Sequence, residues 1–147
     1  MPARPQIPHK IVTAAIITQA KPPVGQQVLI AQRPHQGLLG GLWEFPGGTL
    51  ESGEDLVTCL QREIREELGA GILVHRQLGV YKHAYTHFRI TLHAFCCTLS
   101  NGDQPKPLEA LDLRWVNPSD LPDYPMGKID RQISRDLLAQ EVFPCRI

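Results

Sequence analysis

Three glutamates in one short segment could together do chemistry. Glu63, Glu66 and Glu67 lie with two arginines in the run GGTLESGEDLVTCLQREIREELGA. At about 100° per residue on a helix, Glu67 projects into the apolar stripe, Glu63 lies on its edge and Glu66 lies next to Glu63. Carboxylates this close repel one another, and burial of one without a partner costs on the order of several kcal/mol. A compensating charge is therefore expected.

A divalent cation would supply that charge. Arg62 can pair with Glu66 at the i, i+4 spacing and Arg65 can help from outside, but neither reaches all three carboxylates. Oxygen ligands suit Mg²⁺, above all where substrate phosphates complete its coordination. Gly47 and Gly48 precede the helix and let a backbone loop approach a phosphate closely. The helix alone leaves a solvated, salt-bridged face as an equal alternative, and the two glycines favour the metal and phosphate site.

The glutamates need a helix to position them, and the rest of the chain supplies a sheet. We predict a helix from about residue 54 to 68, with Ser52 as N-cap and Gly69 as C-cap. A second helix is predicted over 128–140. The buried face of the first helix is predicted to comprise Leu56, Val57, Leu60, Ile64 and Leu68. Strands are predicted over 11–18, 28–31, 42–48, 72–85, 88–99 and 113–116. This order predicts an α/β (α+β) fold, a mixed β-sheet between helices.

Length and composition limit the partners. The 147 residues suit a single domain, 1–147, with the Pro-rich residues 1–9 as a flexible tail. The net charge is zero and no dense Lys/Arg run occurs, so a small molecule is favoured over a stable nucleic-acid partner. No stretch is apolar enough to span a bilayer, which predicts a cytoplasmic protein. A monomer and a homodimer both remain open.

The four cysteines lack the spacing of a zinc site. Cys59, Cys96, Cys97 and Cys145 form no C-x-x-C pair. A disulfide framework is not expected at this chain length, so buried free thiols are predicted.

The segment from Gly48 to Ala70 resembles the signature motif of the Nudix hydrolases. Only Ala70 is smaller than the aliphatic residue usual there. The matching positions are Gly48, Glu54, Arg62-Glu63-Ile64, Glu66-Glu67 and Gly69. QRP…GLLGGLWEFPGG is similar to the MutT branch, and HAYTHFRITLHAF to the C-terminal domain of the adenine glycosylase MutY. Together these resemblances cover about 11–138 and imply a Nudix fold.

The resemblance implies hydrolysis of a nucleoside diphosphate linked to another moiety, in a Mg²⁺ cluster that Mn²⁺ can also form. It implies Glu63, Glu66 and Glu67 as metal ligands, with the Gly48 carbonyl as a further one. The metals would neutralise the pyrophosphate and activate the attacking water. Arg62 would orient the glutamates, and Glu54 would tie the loop to the helix.

The general base is open between two kinds of glutamate. In MutT-like enzymes a glutamate six residues before a late-strand Trp approaches the metals, and Glu109 stands six before Trp115. Glu109 is equally well a loop residue in a polar stretch, in which case one of the motif glutamates serves instead.

The MutT resemblance implies conversion of 8-oxo-dGTP to 8-oxo-dGMP and pyrophosphate, which cleanses the nucleotide pool and avoids mutation. Arg33 would contact the nucleotide, Phe45 would line the base pocket, and Gly47 would lie against the phosphates. Asp130 would read the purine, although a helix N-terminal role suits it slightly better. His87 is a weaker base-edge candidate.

Two neighbours of His87 are weak candidates for the same role. His83 lies on the predicted strand, and Tyr85 between the two histidines is expected on the opposite strand face.

Two other functions remain open. One is a different Nudix substrate, such as ADP-ribose, a dinucleoside polyphosphate or another nucleoside triphosphate. The other is a non-catalytic lesion-recognition module like the MutY domain, which the resemblance implies lacks the motif glutamates. We expect the enzyme, because all the motif glutamates are present and no glycosylase domain precedes the fold.

Overall fold

The computed structural model describes residues 7–23, 25–139 and 145. Helix α1 spans Leu56–Leu68, a 3₁₀ helix spans Pro118–Asp123, and helix α2 spans Lys128–Ala139. The strands are β1 (His9–Ala20), β2 (Gln26–Gln32), β3 (Trp43–Glu44), β4 (Gly47–Thr49), β5 (Ile72–Ala84), β6 (Arg89–Leu99) and β7 (Asp112–Val116).

The strands form a mixed sheet, as predicted. The order is β3-β2-β1-β6-β5, with β4 also paired to β1 and β7 to β2. Only the β1–β6 pair is parallel among the strands described, and it runs from His9 opposite Arg89 to Ile17 opposite Cys97. The long strand β1 pairs through its early part with β4 and through its end with β2. This places the Gly47–Gly48 backbone beside the centre of the sheet.

Side-chain alternation along β1 builds two cores on opposite faces of the sheet. Ile17 packs with the apolar residues of α1, whereas Ile16 packs with those of α2. The α1 core contains Leu60, Ile64 and Leu68, and the α2 core contains Ile129, Ile133 and Leu137. The prediction of a sheet between helices is therefore confirmed, as is the mixed α and β class. A single domain over 1–147 stays a prediction.

Helix α1 begins two residues later than predicted, and Ser52 is not its N-cap. The Asp55 carboxylate is the cap, because its Oδ1 accepts a hydrogen bond from the Thr58 backbone N at 2.7 Å. Glu54 stays outside the helix, where its carboxylate binds Arg62. The C-terminal end is confirmed, since Gly69 ends the helix in the left-handed conformation at φ 63°.

The buried face of α1 also differs at one position. Val57 was predicted to be buried, but it is 39% exposed. Cys59 is buried instead, with its Sγ 3.6 Å from the Thr13 hydroxyl. The face is shifted because β4 covers the Cys59 side of the helix, a tertiary contact that helical periodicity alone does not contain.

Several boundaries moved by a few residues. The predicted strand 42–48 is two short strands separated at Pro46, which has no backbone N–H to donate. The 3₁₀ helix was not predicted. The predicted tail, residues 1–9, wrongly includes His9. Strand β1 begins at that residue, because the β1–β6 pairing extends to it. Residues 1–6 of that tail, and Gln140 of the predicted second helix, lie outside the described residues.

Two of the four cysteines are not free thiols. Cys96 of β6 forms a disulfide with Cys145, across 49 residues of sequence, with the two Cα atoms 5.1 Å apart. The prediction of four free thiols is wrong for this pair, because spacing along the chain does not reveal which cysteines the fold brings together. Cys59 and Cys97 are free and buried, as predicted.

No helix in the described part of the chain has the length and apolar character needed to cross a membrane.

Candidate active site

The backbone of β4 and the side chain of Glu63 are in close contact. A Cβ atom added to Gly48 would lie 2.2 Å from Cδ of Glu63, so only glycine leaves room for this carboxylate. The Gly48 carbonyl oxygen accepts a hydrogen bond from the Thr13 hydroxyl at 3.1 Å. Strand β1 thus holds the Gly48 carbonyl beside the glutamate helix, and the two groups predicted as metal ligands are neighbours.

Arg62 connects the loop before α1 with the carboxylates on it. Its guanidinium donates to Glu54 at 2.7 Å, to Glu63 at 3.1 Å and to Glu66 at 3.2 Å. The hydrogen bond from Arg62 is the main reason that the pKa of Glu54 falls to about 2. Glu54 also accepts from the Glu51 backbone N at 2.9 Å, which anchors the loop. These contacts match the positioning expected of Arg62 and Glu54.

Glu67 lies outside the arginine network. Its pKa is raised to about 8, first by burial and then by the nearby charges of Glu44, Glu63 and Glu109. Burial likewise raises the pKa of Glu63, against the lowering effect of Arg62. Glu66, by contrast, has a side chain 54% exposed. The helical projection therefore agrees with the exposure: Glu63 and Glu67 are half-buried, Glu66 is exposed, and no salt bridge between described residues includes Glu67.

A small cavity brings the predicted Glu109 to the same place. It has a volume of about 150 Å³, and its lining includes Arg33, Glu44, Glu67 and Glu109. Glu109 comes from the segment before β7, which pairs with β2, so tertiary pairing carries this distant glutamate to the end of α1. Glu109, for which the sequence left a general-base role and a loop role open, thus lies beside the motif glutamates.

The donor set fits a hard divalent cation in its chemistry. Every candidate ligand is an oxygen atom, which suits such a cation. Burial and mutual repulsion raise the pKa values of Glu63 and Glu67 although Arg62 pairs with Glu63, so the carboxylates together are short of positive charge. Within the described ranges, no three Asp, Glu, His or Cys side chains stand together as a finished metal site. The candidate ligands therefore lie near one another, but their side chains do not form a complete coordination shell.

Glu44 is a member of this site that the sequence analysis did not single out. Its Oε2 atom lies 2.9 Å from Nη1 of Arg33, and Nε of Arg33 also donates to the Leu38 carbonyl at 3.0 Å. Burial raises the pKa of Glu44 even with this arginine beside it. The available signal was a charged residue between Trp43 and Phe45 in an apolar strand.

Asp130 contacts the backbone of Phe45 and not its aromatic ring. Oδ1 of Asp130 accepts a hydrogen bond from the Phe45 backbone N at 3.1 Å. The Phe45 side chain is only 3% exposed and packs in the α2 core. Asp130 is partly exposed to solvent, but protein atoms surround it closely. Its pKa is raised to about 7, first by this loss of solvent and then by the charge of Glu44.

The tip of the β5–β6 hairpin carries the remaining candidates. His87 is exposed at this tip. The rings of His83 and Tyr85 meet edge to face with centroids 4.5 Å apart, and Tyr85 stacks on Phe88 at 4.8 Å. The expectation that Tyr85 faces away from His83 is therefore wrong, because residues two apart on a strand share a face. Burial and then the charge of Asp130 raise the pKa of Tyr85, so Tyr85 lies close to the candidate base reader.

A family model described as the NUDIX domain matches residues 14–136. The chain belongs to the Nudix family. The E. coli ORF135 protein, known from a solution structure, superimposes with a TM-score of 0.75 at 30% identity, over 90% of this chain and 91% of that one. This Nudix hydrolase therefore has the fold that its motif predicted.

Three relatives differ in their names and in the length they share. An 8-oxo-dGTP diphosphatase of Proteus vulgaris is 42% identical over 48% of this chain and 63% of its own length. A CTP pyrophosphohydrolase of Escherichia coli is 35% identical over 71% of this chain and 76% of its own length. The human adenine DNA glycosylase is 28% identical over 94% of this chain, which spans about a quarter (26%) of that protein.

Proposed function

We propose that this Nudix hydrolase cleaves nucleoside triphosphates to monophosphates and pyrophosphate in the presence of Mg²⁺, with 8-oxo-dGTP as its main substrate. The observation that carries the proposal is the half-buried Glu67, whose pKa is raised to about 8 by burial first and then by the charges of three neighbouring glutamates. Such a site is stabilised by a divalent cation, and a divalent cation also binds pyrophosphate. The expected role is removal of oxidised nucleotides before DNA replication.

In this proposal Glu63, Glu66 and Glu67 hold Mg²⁺ together with the Gly48 carbonyl. The bound ion supplies charge neutralisation of the pyrophosphate and a lowered pKa for water. Arg62 keeps Glu63 and Glu66 in position through its hydrogen bonds to both.

Glu109 accepts the proton of the attacking water in this proposal. Its support is proximity, since its charge acts on both Glu63 and Glu67. A general base has to lie within hydrogen-bond reach of the water, directly or through one other water. One of the motif glutamates is the alternative base.

The nucleotide is recognised on the α2 side of the same region. Asp130, with a pKa of about 7, exists as acid and as carboxylate near neutral pH, so it can donate or accept a hydrogen bond. The edge of an 8-oxopurine presents an N–H and a carbonyl side by side, which suits such a group. Arg33 contacts the nucleotide, Phe45 and Gly47 shape the site through their backbone, and His87 approaches from the hairpin tip.

A panel of nucleotides tests this proposal. We expect Mg²⁺-dependent release of pyrophosphate from 8-oxo-dGTP, followed by HPLC at alkaline pH, with Mn²⁺ able to substitute. A preference for ADP-ribose or a dinucleoside polyphosphate by more than about tenfold in kcat/KM, which is about 1.4 kcal/mol, would overturn the substrate assignment.

A cytosine nucleotide is the second candidate substrate. The relative named CTP pyrophosphohydrolase shares more of its length with this chain than the 8-oxo-dGTP diphosphatase does. A carboxylate such as Asp130 also accepts a hydrogen bond from the cytosine amino group. In the same panel, a higher kcat/KM for CTP or dCTP than for 8-oxo-dGTP would select this alternative.

A non-catalytic lesion-recognition module is the remaining alternative, supported by the likeness to the adenine DNA glycosylase. Absence of any Mg²⁺-dependent turnover across the panel would favour it. We further propose that the protein acts in the cytoplasm on small nucleotides, as a monomer or homodimer without a stable nucleic-acid partner.

A further inference from the structure

A second cavity lies between β5 and α2, outside the carboxylate site. Its volume is about 410 Å³. Four cationic side chains line it, one from β5 and three from α2. Two apolar side chains also line it. The cations are Lys82, Lys128, Arg131 and Arg135, and the apolar residues are Met126 and Ile129.

None of the described residues that line this cavity is acidic. The two aspartates of α2 are engaged elsewhere: Asp136 accepts from the Tyr81 hydroxyl at 2.8 Å, and Asp130 accepts from the Phe45 backbone N. Within residues 7–23, 25–139 and 145, no salt bridge includes any of the four cations. Four positive charges therefore share one concavity without an acidic side chain among the described lining residues, in a chain of zero net charge.

Arg131 is held in position within this cluster. Its guanidinium donates to the Leu121 carbonyl at 3.1 Å and to the Tyr124 carbonyl. Lys82, Lys128 and Arg135 are exposed, so their ammonium and guanidinium groups can turn toward a ligand. One fixed cation with three adaptable ones is an arrangement that can surround an anion with several oxygens.

We propose that this cavity binds a small anion that carries phosphate groups, of pyrophosphate to nucleotide size, directly and without a metal ion. The volume is that of a small-molecule site, and Met126 with Ile129 offers an apolar surface to the rest of the ligand. The cations converge on one cavity instead of following a long groove, which favours a compact anion over a nucleic-acid strand. This inference does not rest on the proposed hydrolytic function, since it concerns binding by other residues.

The position of the cavity gives such an anion access to the nucleotide region. His83 lines the cavity and contacts the ring of Tyr85, whose pKa responds to the charges of Asp130 and Arg33. The bound anion therefore lies beside the hairpin side chains proposed to read the base, in a cavity whose lining shares no residue with that of the carboxylate cavity.

Titration with inorganic pyrophosphate in EDTA tests the proposal by calorimetry. Without divalent ions the carboxylate site repels pyrophosphate, so binding reports on the cationic cavity. We expect saturable binding to the wild type that weakens as salt is added. The double variant Lys128→Gln/Arg135→Gln should bind at least about tenfold more weakly, because two charge-assisted contacts are removed. Absence of binding to the wild type would overturn the proposal.

The double variant Lys21→Gln/Arg76→Gln is the matched control. It removes the same charge from exposed positions outside the cavity, and we expect its affinity to stay within about twofold of the wild type. An equal loss in both double variants would show an effect of net charge and would overturn the site. Lys82→Gln, on β5, is an independent variant that should also weaken binding, and thermal melting checks that each variant is folded.

Two further probes separate the sources of the phosphate. A nucleoside monophosphate that competes with pyrophosphate in EDTA would support a nucleotide ligand, whereas binding of pyrophosphate alone would support an inorganic one; both agree with the proposal. Tighter binding of a single-stranded oligonucleotide of about ten nucleotides, not displaced by pyrophosphate and weakened by Lys128→Gln/Arg135→Gln, would overturn it in favour of a nucleic-acid surface.

Discussion

Helices α1 and α2 are nearly equal in length, 13 and 12 residues, and pack on opposite faces of the same sheet. Each presents an apolar stripe to its own core, but their polar sides carry opposite charge. On α1 the glutamates crowd toward β4, and one arginine binds two of them. On α2 the basic side chains face a cavity without acids. The same packing arrangement therefore supports two sites of opposite polarity.

The two sites also differ in how they are assembled. The α1 site is largely local, because the glycines of β4, Glu54 and the motif glutamates lie within about 20 residues of one another. The α2 region depends on distant partners, since Asp130 binds the backbone of Phe45 and Asp136 binds Tyr81. A site built from residues close in sequence can be recognised from the sequence alone. A surface built from residues distant in sequence can be recognised only once the fold is known.

The largest expected effect concerns the carboxylates of α1. Glu66→Gln removes one negative oxygen donor without changing the size of the side chain. We expect Mg²⁺-dependent kcat to fall on the order of a thousandfold, with an unchanged melting temperature, because this side chain is exposed. The exposed Asp123→Asn loses the same charge away from the site and should keep full activity. Unchanged turnover in Glu66→Gln would contradict the proposal that the glutamates of α1 take part in the reaction.

A pair of glycine variants separates chemistry from folding in β4. In Gly48→Ala the new Cβ meets only the carboxyl end of Glu63, at 2.2 Å, which can rotate away. We expect about a hundredfold loss of kcat/KM with little loss of stability, because Glu63 leaves its position. In Gly47→Ala the Cβ would lie 2.0 Å from the Thr13 carbonyl oxygen, which is backbone of β1. That variant should lose about 3 kcal/mol of stability in urea unfolding.

The opposite pattern would contradict this account of β4. If Gly48→Ala retained full activity, then the position of Glu63 against the backbone would not matter for the reaction. If Gly47→Ala were as stable as the wild type, the close contact with β1 would not constrain the fold.

The pH dependence of stability tests the α2 side. The pKa of Asp130 rises from 3.8 to about 7, so the folded protein keeps a proton that the unfolded chain releases. The free energy of unfolding in EDTA should therefore fall as pH rises from about 4 to about 7. The contribution is about 2 kcal/mol, reduced from the full shift because Asp130 is partly exposed. Asp130→Asn should reduce this slope and leave the part that the raised pKa of Glu67 contributes, whereas Asp123→Asn should leave the slope intact.

The smallest expected effect concerns the contact between β5 and α2. Tyr81→Phe removes the hydrogen bond to Asp136 and should cost about 1 kcal/mol in urea unfolding. A double-mutant cycle with Asp136→Asn isolates this interaction. Equal and additive losses in the two single variants would show that the hydrogen bond does not tie α2 to the sheet.

The sequence by itself determined the glutamate helix and the family, because the motif residues are close along the chain and their helical spacing requires no distant partner. The projection placed Glu67 inside the apolar stripe, and the structure shows that residue half-buried. The Gly69 cap and the mixed sheet between two helices were also predictable from periodicity and turn residues.

Only the tertiary structure decided which distant groups join that helix. Glu109 reaches Glu67 because β7 pairs with β2, and Glu44 enters the site through its ion pair with Arg33. The disulfide of Cys96 and the cationic cavity arose in the same way, from contacts between segments far apart in sequence. Spacing and amphipathicity describe one element at a time, whereas burial, mutual repulsion and charge pairing depend on which elements the sheet brings together.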